Sequence, residues 1–274
     1  MPKYFYVSPF LLCGVILSGC AATQVPLPNL ETSSELSLVW ADEFEGDRLD
    51  RTRWAFDQHR NRAGWYNNER QYYGPDNVRV EDGQLHIDIR QERPSGASDD
   101  GGQTYTSARL HTKGLAAWQY GRVEARVKVP CGTGLWPAVW MLPEAGGKWP
   151  DGGEIDIMEY VGFQPDTFHA TVHTRDYNHA QGTEVGAKID QPGACDRFHT
   201  HRLDWTADAI TVSLDDTPYF TYLNDGAGPG SWPFDQPFHL LLNVAVGGDW
   251  GGREGIDPEI FPATMSVDYV RIYQ

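Results

Sequence analysis

The sequence predicts a single all-β domain, of the sandwich or barrel type. Its hydrophobic residues alternate with polar ones, which is typical of half-buried strands, and no window of useful length repeats at helical spacing. The clearest alternating runs are L-H-I-D-I (85–89), V-E-A-R-V-K-V (123–129), I-T-V-S-L (210–214) and V-D-Y-V-R-I (267–272). Turn signals such as Asp82-Gly83 and Asp215-Asp216 separate the runs. We find no repeat of fixed length and no composition break, so we expect one domain.

Composition and charge limit the class of partner. The 274 residues are 40% hydrophobic and 12% aromatic, which is enough to bury a large core. The formal charge of −16 argues against nucleic acid, because phosphates need Lys and Arg, and weakly against a polyanionic substrate. An uncharged partner is therefore favoured.

The N-terminus predicts export and a lipid anchor. Lys3 precedes the apolar run F-L-L-C-G-V-I-L, which is too short for a permanent membrane span and suits a signal peptide. The run ends in Leu17-Ser18-Gly19-Cys20, which resembles a bacterial lipobox with Cys20 as the lipid-modified residue. The alternative is an ordinary secretory signal cleaved near Ala21 or Ala22. In both cases the folded domain is exported.

These features divide the chain into three parts. We predict a lipoprotein signal peptide over residues 1–19, a tether rich in Pro, Ser and Thr over 20–35, and a catalytic domain over 36–274. The anchor predicts a membrane partner and a location at the outer membrane, cell surface or periplasmic face. We also expect a monomer.

Two cysteines remain in the domain after Cys13 leaves with the signal and Cys20 takes lipid. Cys131 and Cys195 each lie beside Pro or Gly in a turn-like context, and an exported domain permits disulfides. We favour a disulfide that joins two loops. The alternative is a pair of unbonded buried thiols.

The stretch G-G-E-I-D-I-M-E-Y at 152–160 carries three acids whose spacing does not fit one face of a regular strand. On a regular strand Glu154 and Asp156 would point to one face and Glu159 to the other. A β-bulge at Ile157 or Met158 would shift every later side chain by one face and bring the three acids together. We therefore predict a bulge there, with all three carboxyls on one face.

Three carboxyls on one face favour acid–base chemistry. They cannot all ionise freely, so at least one should hold its proton near neutral pH, as a general acid requires. A retaining glycosidase uses such a pair, but the residues alone allow either Glu154 or Glu159 to be the nucleophile. The rival interpretation is a Ca²⁺ site, which Asp and Glu also suit. Because the acids alternate with Ile and Met on a strand rather than with Gly and Asn in a loop, catalysis is favoured over metal binding.

Tryptophan surrounds this acidic stretch. Trp136, Trp140 and Trp149 precede it, and Trp65 and Trp250 lie in Gly-containing loops, where we expect exposed rings. Exposed indoles beside carboxylates suit sugars, because the C–H face of a pyranose stacks on an aromatic plane. Core filling is the alternative for each, and for Trp140 above all.

At this point the motifs match a known family. E-I-D-I-M-E resembles the bulged active-site motif of glycoside hydrolase family 16, and its surroundings resemble the laminarinase (endo-β-1,3-glucanase) branch. The likeness extends over nearly the whole domain, through W-A-D-E-F-E-G (40–46), N-N-E-R-Q-Y-Y (67–73), Y-T-S-A-R-L (105–110), Y-G-R-V-E-A-R (120–126), G-L-W-P-A-V-W-M-L-P (134–143), N-V-A-V-G-G (243–248) and V-D-Y-V-R-I-Y (267–273).

The resemblance implies a β-jelly-roll sandwich of two curved antiparallel sheets with a concave substrate cleft. By motif position, Glu154 is implied as the nucleophile, Glu159 as the acid/base and Asp156 as the residue that tunes the nucleophile. The reaction would then pass through a covalent glycosyl-enzyme with retention of anomeric configuration. No cofactor is needed for this chemistry.

The resemblance also implies residues for substrate and metal. Asn68 and Arg109 match sugar contacts, His173 matches a histidine near the cleft, and Trp136, Trp140 and Trp149 are candidates for stacking. A structural calcium is implied away from the cleft, with Asp268, the carbonyl of Gly83 and, more weakly, Glu43 as ligands.

We therefore expect a retaining endo-β-1,3-glucanase that acts on β-glucan polysaccharide. The same mechanism on mixed-linkage β-glucan or on a marine galactan such as agar or carrageenan is the second enzyme hypothesis. The third is a surface glycan-binding lipoprotein without catalysis. Because Glu154, Asp156 and Glu159 are all present, the third is disfavoured.

Overall fold

The computed structural model describes residues 36–274. The predicted signal peptide, the lipobox with Cys20 and the whole predicted tether lie outside the described residues and stay predictions. Among the described residues, no helix has the length and apolar character needed to cross a membrane.

The described chain contains seventeen strands and three short 3₁₀ helices, Tyr66–Asn68, Pro75–Asn77 and Pro258–Ile260. The strands are β1 (Leu38–Asp42), β2 (Ala55–Phe56), β3 (Gln71–Tyr73), β4 (Val78–Glu81), β5 (Gln84–Ile89), β6 (Tyr105–Ser107), β7 (Arg109–His111), β8 (Gly121–Lys128), β9 (Leu135–Pro143), β10 (Glu154–Tyr160), β11 (Thr167–His173), β12 (Val185–Asp190), β13 (His199–Trp205), β14 (Ala209–Leu214), β15 (Thr217–Leu223), β16 (Phe238–Val246) and β17 (Ala263–Tyr273).

Two large antiparallel sheets account for most of these strands. The outer sheet has the order β15-β14-β13-β8-β17-β5-β4, and β1 also pairs with β17. The cleft sheet has the order β12-β11-β10-β9-β16-β7-β2, and a small parallel pair, β3-β6, lies apart from both. The predicted all-β class is confirmed.

The core lies between the two sheets. Alternation along the outer sheet turns residues such as Ile87 and Leu203 inward, and alternation along the cleft sheet does the same for Val139, Phe168 and Leu242, all with no exposed surface. Burying one such side chain contributes about 1.5–3 kcal/mol, so this shared apolar layer is the main term that holds the sheets together. The opposite face of the cleft sheet is left for polar residues.

Strand β10 contains the predicted bulge. On the β9 side Asp156 pairs with Trp140 and Met158 with Val139, so two steps on β10 match one step on β9. The pairing with β11 shifts in the same place, between Asp156 and Glu159. Ile157 and Met158 are both fully buried in the core. Asp156 and Glu159 therefore share the opposite face, and the predicted bulge is confirmed.

A disulfide joins two loops that cross from one sheet to the other. Cys131 follows β8 and Cys195 precedes β13, and their Cα atoms are 5.4 Å apart. Close packing continues beside it, because a Cβ at Gly162 would overlap the carbonyl oxygen of Gly132. This end of the sandwich is thus fixed covalently and by a backbone contact that only glycine permits.

The residues expected to bind calcium lie on the outer sheet. Both carboxylate oxygens of Glu43 accept hydrogen bonds from Arg271 at 2.8 Å, and Oδ2 of Asp268 accepts one from Arg126. Gly83 occupies the tight turn between β4 and β5 with a φ of 72°. The two carboxylates as placed therefore fit ion pairs rather than a cation site. Calcium binding stays a prediction.

Candidate active site

A cleft of about 960 Å³ lies on the face of the cleft sheet that points away from the core. Its floor is formed by residues of four neighbouring strands and includes all three acids of β10. The floor residues are Arg109 and His111 of β7, Leu241, Asn243 and Ala245 of β16, Trp136, Ala138 and Trp140 of β9, and Glu154, Asp156 and Glu159 of β10. The three carboxyls thus share one face, as the bulge predicts.

Glu154 and Glu159 are each held by an indole. Trp149 Nε1 donates to Glu154 Oε2 at 3.0 Å, and Trp136 Nε1 donates to Glu159 Oε1 at 3.1 Å. Trp136 is on β9, whereas Trp149 comes from the loop before β10. These two tryptophans, predicted as stacking surfaces, therefore also fix the positions of the carboxyls.

Asp156 lies between the two glutamates and faces His173 of β11. His173 Nε2 is 3.4 Å from Asp156 Oδ2 and 3.9 Å from Glu154 Oε1. Neither Asp156 Oδ2 nor His173 Nδ1 has a hydrogen-bond partner with good geometry. His173 is only 6% exposed and does not line the cleft itself. It stands behind the acids rather than where a sugar would lie.

Burial shifts the protonation of this cluster. Burial, followed by the charge of Glu159, raises the pKa of Glu154 to about 8. Burial raises the pKa of Glu159 to about 7 against the hydrogen bonds from Trp136 and Thr171, and it raises the pKa of Asp156 as well. The three carboxyls therefore share protons near neutral pH, as general acid catalysis requires.

Burial has the opposite effect on His173, whose pKa it lowers. Burial, followed by the nearby His179, lowers the pKa of His173 to about 4. His173 is therefore neutral at the pH where the carboxyls titrate, and its two nitrogens can serve as one donor and one acceptor.

Arg109 is buried in the cleft, at 7% exposure, rather than on the surface. Its guanidinium carbon lies 4.7 Å from the centre of the Trp140 ring and 5.2 Å from that of Trp65, and its Nε is 3.0 Å from Asp57 Oδ2. Contacts with two indoles and one carboxylate hold the cation in a single orientation. The cleft thus has a positive group beside the stacking surface of Trp140.

A hydrogen-bonded chain extends from Trp140. Its Nε1 donates to Asn243 Oδ1 at 2.7 Å, and Asn243 Nδ2 donates to the hydroxyl of Tyr73 at 3.1 Å. The Tyr73 hydroxyl in turn donates to Glu69 at 3.3 Å. Asn243, Tyr73 and Glu69 are absent from the sequence-based site. A polar Asn on the outward face of β16, between apolar Leu242 and Val244, was the signal available for Asn243.

Asn68 is not among the residues that line the cleft, and its predicted sugar contact stays a prediction. It is exposed and donates to Asp249 Oδ1 at 2.8 Å, while its neighbour Asn67 lines the cleft. Both residues have left-handed backbone angles, with φ of 55° and 57°, so the chain turns at this point and directs Asn68 away. Asn67 and Tyr66 take the cleft-facing places.

Trp65 also differs from the expectation of an exposed loop ring. It is 5% exposed, donates from Nε1 to Asn61 Oδ1 at 3.0 Å, and packs edge-on against Tyr73 with 4.6 Å between ring centres. Trp250, by contrast, is partly exposed and packs 5.4 Å from Trp136. Trp65, with its buried amide partner, thus packs behind the wall of the cleft and supports it instead of lining the cleft.

His179 and His239 line the cleft and are absent from the sequence-based site. The ring of His179 lies 4.8 Å from Trp149 and 5.0 Å from His173. His239 Nδ1 is 3.3 Å from Glu144 Oε2. His179 belongs to a loop, where alternation gives no orientation, and so no signal in the sequence could have placed it.

Carboxyls that keep protons at neutral pH, set among flat indole surfaces in an extended cleft, supply what cleavage of a glycosidic bond requires, and the protein is a glycoside hydrolase. The sequence model of Glycosyl hydrolases family 16 matches residues 66–271. The chain belongs to this family.

Similar proteins are known over nearly the full length. A β-glucanase of Rhodothermus marinus is 45% identical over 287 aligned positions, covering 100% of this chain and 96% of its own. The structure of SCLam, a non-specific endo-β-1,3(4)-glucanase, is 50% identical with a TM-score of 0.85 and covers 88% of this chain and 92% of that one. The laminarinase structure from Rhodothermus marinus is 48% identical with a TM-score of 0.82, over 87% of this chain and 97% of its own.

Proposed function

We propose that the protein is a retaining endo-β-1,3-glucanase. The observation that carries the reaction is the bulge in β10, which brings Glu154, Asp156 and Glu159 to the floor of one cleft. The β-1,3 linkage is supported by the similarity to enzymes named for that activity, which extends over almost the whole chain.

In the proposed mechanism the two glutamates act in sequence. Glu159 donates its proton to the leaving glycosidic oxygen while Glu154 attacks the anomeric carbon, which gives a covalent glycosyl-enzyme. Glu159 then removes a proton from water, which attacks the same carbon and releases Glu154. Two inversions at one carbon retain the anomeric configuration.

The free protein does not fix these roles by protonation alone. The pKa of Glu154 is raised to about 8 and that of Glu159 to about 7, whereas the mechanism needs Glu154 ionised and Glu159 protonated. Because the three carboxyls interact, each proton belongs to the cluster rather than to one site. The role of each glutamate therefore rests on its place in the family motif.

The test is release of reducing ends from laminarin, lichenan, agarose and κ-carrageenan by the purified protein. We expect turnover of laminarin, and we expect Glu154→Ala and Glu159→Ala to lower kcat by several orders of magnitude, while oligosaccharide binding is largely kept. Inactivity on laminarin would refute the substrate, and near-wild-type rates in both variants would refute the site.

Mixed-linkage β-glucan is the second candidate substrate. The similarity to SCLam favours it, because that enzyme is described as non-specific for β-1,3(4)-glucan at 50% identity to this chain. Comparable kcat/KM on lichenan and laminarin would assign the protein to this broader specificity.

A further inference from the structure

Three potential metal ligands converge beside the nucleophile position. Glu154, Asp156 and His173 each direct one donor atom to the same point, and these atoms lie within 4.8 Å of one another. The measured pairs are His173 Nε2 to Asp156 Oδ2 at 3.4 Å and His173 Nε2 to Glu154 Oε1 at 3.9 Å.

Two of these three residues, Asp156 and His173, are buried, and the converging oxygen of Asp156 lacks a hydrogen-bond partner. Asp156 is 4% exposed, and its Oδ2 has no hydrogen-bond partner of good geometry. Burying a carboxylate oxygen without a partner costs stability unless a proton or a cation occupies the site. This oxygen faces His173 Nε2 rather than the solvent, so the pair is arranged as a ligand pair would be.

The spacing suits a small transition-metal ion. Bonds of about 2.0–2.2 Å in a tetrahedral arrangement place neighbouring ligand atoms about 3.3–3.6 Å apart. The observed 3.4 Å separation satisfies this, and the 3.9 Å separation requires only a small movement of Glu154, which is the most exposed of the three.

We propose that Glu154, Asp156 and His173 form an inhibitory binding site for a divalent transition-metal ion of the Zn²⁺ class. The ion enters from the cleft, because Glu154 and Asp156 line it, and its binding displaces any proton on the ligand atoms. Each displaced proton leaves to solvent. With the ion bound, the Glu154 carboxylate is engaged and cannot attack a glycosidic carbon.

The donor set discriminates among cations. One imidazole and two carboxylates in a compact site favour Zn²⁺, Cu²⁺ or Co²⁺, whereas Ca²⁺ takes six to eight oxygen ligands and Mg²⁺ keeps its water. His173 supplies the imidazole through Nε2, which lies 3.4 Å from Asp156 Oδ2. Its Nδ1 lacks a partner to orient the ring, so the affinity falls below that of a dedicated zinc site.

Other clusters of potential zinc ligands are few within residues 36–274. The other cluster there with the required proximity is Cys131, Cys195 and Asp196, and its two sulfurs are joined in the disulfide. Disulfide sulfurs are not thiolates, so this cluster lacks the ligands that zinc prefers. A zinc equivalent lost on changing His173 therefore reports the cleft site.

The test is titration of the purified protein with ZnCl₂ in a non-coordinating buffer without glycan, by calorimetry and equilibrium dialysis. We expect one equivalent of Zn²⁺ whose affinity falls at least about tenfold in His173→Gln. His169→Gln is the matched control on the same strand, because His169 Nε2 is bonded to Gln164 and lies outside the cluster. It should bind as the wild type does.

Binding by His173→Gln equal to that of the wild type would overturn the site, as would the absence of any bound Zn²⁺ in the wild type. Near-ultraviolet circular dichroism confirms that the variant is folded. Co²⁺ gives a second readout, since four-coordinate Co²⁺ absorbs visible light and this band should be missing in His173→Gln. Equal displacement of Co²⁺ by Ca²⁺ or Mg²⁺ would also refute the proposal. None of these measurements depends on the glycan that the enzyme cleaves.

Discussion

Glu154 and Glu159 each accept one hydrogen bond from an indole, and the two indoles come from different parts of the chain. A donor that points at a carboxylate stabilises its ionised form and lowers its pKa, so Trp149 opposes the effect of burial at Glu154 and Trp136 does so at Glu159. Each tryptophan therefore acts directly on one carboxyl of the cluster.

Replacing each indole by a phenyl ring should change the pH profile of kcat/KM in a different way. Trp149→Phe raises the pKa of Glu154, which must be ionised to attack, so the acidic limb of kcat/KM moves to higher pH. Trp136→Phe raises the pKa of Glu159, which must be protonated, so the alkaline limb moves to higher pH. A hydrogen bond to a charged group is worth enough to expect shifts of about one pH unit.

The profiles are measured on one soluble β-1,3-glucan with both variants and the wild type. If a variant also loses stacking on the sugar, kcat/KM falls at every pH but the positions of the two limbs do not change. The positions of the limbs are therefore the readout. If Trp149→Phe moved the alkaline limb and Trp136→Phe the acidic one, the roles of Glu154 and Glu159 would be exchanged.

At the scale of the element, the bulge in β10 places Ile157 and Met158 side by side in the core and so reverses the direction of every later side chain. Without it, Glu159 would face the apolar layer and Tyr160 would face the cleft. The catalytic arrangement thus depends on one extra residue in a strand.

Insertion of one alanine between Met158 and Glu159 tests this dependence. We expect a loss of activity together with a lower melting temperature, because the added residue shifts the alternation by one and turns the Glu159 carboxyl toward the apolar side chains of the core. Met158→Ala is the control, since it keeps the bulge and leaves a cavity that costs about 2–5 kcal/mol. Below its own melting temperature it should remain active. Activity in the insertion variant would show that the number of residues in β10 does not set the direction of Glu159.

The sequence allowed some of these elements to be predicted, and others not. The alternation of side chains along 154–160 was sufficient to predict the bulge, because a strand has only two faces and the three acids had to share one of them. Alternation likewise gave the all-β class. The expectation of an exposed Trp65 was wrong, because its ring lies in a loop whose left-handed residues and buried amide partner leave no periodic signal. His179 escaped detection for the same reason.

At the scale of the whole molecule, the disulfide links two crossings between the sheets. Cys131 and Cys195 are 64 residues apart, so the bond closes a long loop in the unfolded chain and removes much of its entropy. Neither residue lines the cleft. The bond should therefore support stability without affecting turnover.

The double variant Cys131→Ala/Cys195→Ala should lose about 2–4 kcal/mol of unfolding free energy in a urea titration. Its kcat at a temperature where it is fully folded should match that of the wild type. Dithiothreitol is the control, because it should destabilise the wild type to the same extent and leave the double variant unchanged. A destabilising effect of the reductant on the double variant would place the redox-sensitive group elsewhere.

Strand β17 is the last of the described strands, yet it lies inside the outer sheet. One edge pairs with β8, and the other pairs first with β5 and then with β1. During synthesis, β1, β5 and β8 therefore lack their common neighbour until residues 263–273 have left the ribosome. Cooperative folding must wait for that moment, because non-local pairing is needed to complete the sheet. A chain that stays unfolded until then can still pass through a secretion channel, as the predicted export requires.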